Sequence, residues 1–115
     1  MKTATSASKL FPYHYNYYKT DGTVEVIKAA KPLPLEQLQS LVKGENDERS
    51  SIEGVELRNG NYLFVNEEGF INDLPRNPHF TQDEVYVDLS HSDNRLCGNV
   101  IEGKIDDDGE FVGVN

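Results

Sequence analysis

Arg58-Asn59-Gly60-Asn61-Tyr62-Leu63-Phe64-Val65-Asn66-Glu67-Glu68-Gly69 is the stretch whose reading decides the fold. Its Asn-Gly pair tolerates the left-handed backbone of a tight reversal and predicts a two-residue hairpin. Ile52, Val55 and Leu57 form the incoming strand, and 62–65 is an apolar return strand. Glu67-Glu68-Gly69 turns the chain again, and Phe70, Ile71 and Leu74 are expected to fold back onto the core. Pro75 and Pro78 then bracket Arg76-Asn77. Each proline restricts the residue before it, so 74–78 is expected to be stiff.

Working outward toward the start, 35–42 carries Leu35, Leu38, Leu41 and Val42 at helical spacing. Pro34 can open this helix and Gly44 can stop it, so the main helix is expected over 34–43 with its leucines laid on a sheet. Before it, Asp21-Gly22 reads as a turn between 13–18 and 23–27, which makes these two strands antiparallel neighbours. Four of the six tyrosines fall in 13–18, and alternation puts Tyr13, Tyr15 and Tyr17 on one face. Such a run either stacks on bases or sugars or covers the core as an edge strand. With so few basic residues nearby, the edge strand is favoured. Toward the end, Val85, Val87 and Leu89 alternate as a strand, 96–101 is a second, and Asp108-Gly109 turns 104–105 into a last strand at 110–114. The result is an α+β domain: a mainly antiparallel sheet of about five to seven strands with one helix. Leu38, Leu41, Val55, Leu63, Val65, Ile71, Val87, Val100 and Phe111 are its expected core.

The 115 residues suit one domain, assigned to 10–115 behind a polar tail at 1–9. No apolar run is long enough to cross a bilayer, and the first nine residues lack the apolar centre of a secretory signal. The single Cys97 cannot form an internal disulfide and suits a reducing, intracellular compartment, most simply the cytoplasm. Twenty acidic against eleven basic side chains give a net charge of −9. That charge argues against direct binding to nucleic acid or an anionic membrane, both of which need a basic patch. It suits solubility, and it suits docking on a basic protein.

Four segments occur in the order and spacing of a known domain family: Asn66-Glu67-Glu68-Gly69, Leu74-Pro75-Arg76-Asn77-Pro78, Gly98-Asn99-Val100-Ile101 and 106–113. They resemble an uncharacterised small-domain family of phage, plasmid and mobile-element accessory proteins, also seen in large DNA viruses. Leu38, Leu41, Val42 and Gly44 resemble its helix, usually Leu-Gln-x-Leu-Val-Gly-Gly. The likeness runs over about 24–114. It departs at Lys43-Gly44, where the family has Gly-Gly, at the loop 45–51, and at the Tyr-rich start, which lies outside it. The resemblance implies a fold and an accessory role, and carries no catalytic residue.

Candidate chemistry is sparse. Asp106-x-Asp108-Gly109 looks like the start of a calcium loop, but a Glu six residues beyond the Gly is missing, and a hairpin turn fits better. His14, His79 and His91 have no paired ligand spacing and Cys97 has no partner cysteine, so no metal is expected. No phosphate loop or dinucleotide fingerprint is present, and no cofactor is expected. Three classes of function follow in order of preference. The first is a non-enzymatic accessory protein of viral or mobile-element origin that occupies a host protein. The second is a small-molecule or nucleotide-binding module. The third is an enzyme using scattered His, Cys and Glu residues. The contact is placed on the stiff loop 74–80, where Arg76 offers a forked donor, Asn77 a donor and an acceptor, and His79 a titratable ring, with Glu67 and Glu68 flanking it.

Overall fold

The computed structural model describes residues 10–44, 51–67, 74–80 and 97–114. They form an α+β domain with six strands and one helix in the order β1 (Tyr13–Tyr18), β2 (Val24–Ala29), α1 (Leu35–Val42), β3 (Ile52–Glu56), β4 (Tyr62–Asn66), β5 (Val100–Ile105) and β6 (Phe111–Val112). All pairings are antiparallel, as expected for strands joined by tight turns. The sheet runs β2-β1-β5-β4-β3, and β6 pairs with the second half of β5. The strand at 85–89 and the core positions Ile71 and Val87 lie outside the described residues.

Three reversals share one geometry. Lys19 N donates to Thr23 O, Leu57 N to Asn61 O and Asp106 N to Glu110 O, while Gly22, Gly60 and Gly109 donate back to Lys19, Leu57 and Asp106. Each glycine has a positive φ, between 83° and 94°, which a side chain would strain. Each turn is tied by a side-chain oxygen: Asp21 accepts from Thr23 N, Asn59 from Asn61 N, and Asp106 from Asp108 N and Glu110 N. These are three-residue loops closing on a bulge, not the two-residue turn expected at Asn59-Gly60. The extra residue matters, because a one-residue slip moves every side chain of a strand to the opposite face.

The sheet is covered on both faces. On one, Tyr15, Tyr17, Ile101 and Phe111 pack with Leu33, Leu38 and Val42, and Leu41 is half-buried against them. Leu35 points outward, so the first-turn leucine is not laid on the sheet as its spacing predicts. Pro34 sits at the N-cap, where its carbonyl takes the N–H groups of Gln37 and Leu38. On the other face Val55, Leu57, Leu63, Val65 and Val100 pack with Phe80. The tyrosine run is therefore core, and β1 is an interior strand between β2 and β5, not an edge. The hydroxyls of its two buried members are satisfied: Tyr15 accepts from Leu33 N and donates to Phe111 O, and Tyr17 accepts from Asn99 Nδ2 and donates to Leu41 O. Among the described residues no helix is long and apolar enough to cross a membrane.

Candidate functional site

The loop 74–80 is rigid for a reason other than its prolines. Asn77 is fully buried, and its side chain holds the loop to the end of β1 and to the segment that leads into β5. Asn77 Nδ2 donates to Tyr18 O at 3.0 Å and Gly98 O at 3.1 Å, while Oδ1 accepts from His79 N. Gly98 N closes the attachment by donating to Pro75 O at 2.7 Å, beside a backbone bridge between Arg76 and Cys97. Phe80 then plugs the core edge-on to Tyr18, with ring centroids 4.7 Å apart. Asn77 is thus a structural clamp, and the ligand contact expected of it is corrected: its polar atoms are already engaged.

Pro75, Arg76 and Pro78 remain exposed. The Arg76 guanidinium makes no ion pair among the described residues. His79 lies half-buried with its ring 5.1 Å from Tyr18, and its Nε2 has no hydrogen-bond partner among the described residues. Glu67 is exposed and donates its N–H to Ser51 O, beyond the end of β4. Burial first, and then the Glu67 carboxylate, raise the Glu53 carboxyl above the ordinary value. No hydrogen bond or ion pair joins Glu67 to the loop among the described residues, and Glu68 lies outside them.

A second polar centre went unread in the sequence. Glu102, 5% exposed, lies in β5 on the face that carries Val100 and Leu63. Its Oε1 accepts from Tyr18 OH at 2.7 Å and Asn16 Nδ2 at 3.1 Å, and its Oε2 accepts from Asn61 Nδ2 at 2.8 Å. Asn16 stands opposite Glu102 in the register, while Asn61 reaches across from the β3–β4 turn. A carboxylate needs such donors when it leaves water. The one local signal was an acid at the buried parity of Val100-Ile101-Glu102, which means something only once the register is known. Tyr18 links the two centres, since its hydroxyl serves Glu102 and its carbonyl serves Asn77.

Among the described residues no three metal-ligating side chains cluster. The chain matches no family model, no curated protein and no solved structure.

Proposed function

We propose that this chain is a non-enzymatic accessory protein that binds a protein partner through the loop 74–80, in the manner of a viral or mobile-element protein occupying a host target. The observation that carries this reading is the division of labour inside the loop. Asn77 and Phe80 fasten it from beneath, and Pro75, Arg76 and Pro78 stand outward. A loop already fixed loses little conformational entropy on binding, and an exposed guanidinium can take a partner carboxylate in a bidentate grip. The surrounding negative charge would steer a partner that is basic outside that contact. A small ligand on the same loop is the alternative, favoured by the buried Nε2 of His79, which has no hydrogen-bond partner among the described residues.

Affinity capture from the native cell tests it with two variants of matched thermal stability. Arg76→Glu is expected to abolish capture. Neutralising Asp106, Asp107 and Asp108 to Asn keeps the turn's acceptors and is expected to leave capture intact. If the Asn variant fails and Arg76→Glu succeeds, the acidic surface carries the contact and the loop does not.

A further inference from the structure

Among the described residues the outer strand β2 is bonded on one side only, to β1. The bond from Lys19 N to Thr23 O fixes the phase of the first hairpin, turning the N–H and C=O groups of Glu25, Ile27 and Ala29 toward β1. Those of Val24, Val26 and Lys28 consequently point away from the sheet. Val24 and Val26 also leave 49% and 53% of their surface exposed, a pair of β-branched side chains on an open edge.

We propose that β2 pairs edge to edge with the β2 of a second copy of this chain, about a two-fold axis through Val26, so that one sheet runs through both molecules. Antiparallel pairing across such an axis sets one residue opposite itself. With Val26 at the centre, Val24 faces Lys28 of the other copy, and every outward backbone group of the three residues finds a partner. Val26 packs on Val26, and Val24 packs along the aliphatic stem of Lys28. Charge supports the same partner. Two copies at −9 repel broadly, but the strip 19–31 holds Lys19, Lys28 and Lys31 against Asp21 and Glu25. Glu25 is itself neutralised by Lys19 at 3.0 Å. The opposite edge, β3, carries Glu53 and Glu56 and is guarded by charge.

Sedimentation equilibrium of the full chain at high micromolar concentration tests this, with strand content followed by circular dichroism. The expected result is a dimer. Val26→Lys sets two ammonium groups opposite each other on the axis and is expected to weaken the dimer by about tenfold or more. Val26→Thr, which keeps the β-branch, replaces it if the lysine disturbs the strand, and is expected to weaken the dimer less. Glu53→Lys, on the other edge, is expected to leave the dimer intact. A monomeric wild type, a Val26→Lys dimer of undiminished affinity, or growth beyond a dimer that Glu53→Lys stops would overturn the proposal.

Discussion

Replacing Glu102 by Leu removes the acceptor on which three donors converge. Tyr18 OH, Asn16 Nδ2 and Asn61 Nδ2 would then face a methyl group. Each donor stranded away from water costs about 1–3 kcal/mol. All three residues are partly exposed and can recover some hydration, so the low end applies and the sum is about 3 kcal/mol. Glu102→Gln has the same shape and should cost less. Its carbonyl keeps Tyr18 and Asn16, and Asn61 can turn its amide to offer Oδ1 to the new NH2, so the loss is the charge assistance, about 1–2 kcal/mol. Urea unfolding at neutral pH, followed by tyrosine fluorescence, separates these cases. A double-mutant cycle with Tyr18→Phe sharpens the test. The Phe change should be destabilising while Glu102 is present and close to neutral once Glu102→Leu has removed the acceptor, a coupling of about 1 kcal/mol. A Glu102→Leu protein as stable as the wild type, with no coupling to Tyr18, would refute the assignment of Glu102 as the acceptor that holds this face together.

Two further outcomes follow from the other face. A Cβ at Gly103 would lie 2.7 Å from the Phe111 ring and against Val112 O, so Gly103→Ala should cost about 1–3 kcal/mol or more and lower the thermal midpoint accordingly. Burial raises the phenol pKa values of Tyr15 and Tyr17 above 10.0. A raised folded-state value means their contribution is complete below the unfolded value and is lost as pH climbs through the folded one. Spectrophotometric titration should therefore show these two phenols ionising together with the loss of circular dichroism, and ordinary ionisation in an intact fold would contradict it.

The fold was legible where its causes are local. Leucine spacing after Pro34 marked the helix, and Gly22, Gly60 and Gly109 marked the reversals. The type of turn was not, because an Asn-Gly pair suits both a two-residue turn and a three-residue loop with a bulge. What separates them is whether Leu57 or Arg58 faces Asn61, a property of the closed hairpin. The interior place of β1 was also out of reach, since the partner that takes it off the edge is β5, with Asn16 and Glu102 separated by 86 residues. The candidate loop was located by its prolines, yet the role of Asn77 was misread. Nothing local says that Tyr18 O and Gly98 O would arrive on either side of its amide. Glu102 was missed for the same reason: its three donors come from two distant segments.

The position of β5 governs the order of events during synthesis. The hairpins β1–β2 and β3–β4 are each built from neighbours in the chain and can close as soon as they emerge. They do not touch each other through the sheet until β5 slots between β1 and β4. Until that late segment is made, β1 and β4 each offer an open flank, Tyr15 and Tyr17 lack Ile101 on one face, and Leu63 lacks Val100 on the other. The nascent chain thus carries two half-sheets awaiting a keystone, and it is in that interval, before Ile101 and Val100 are in place, that mispairing and capture by chaperones have their opening.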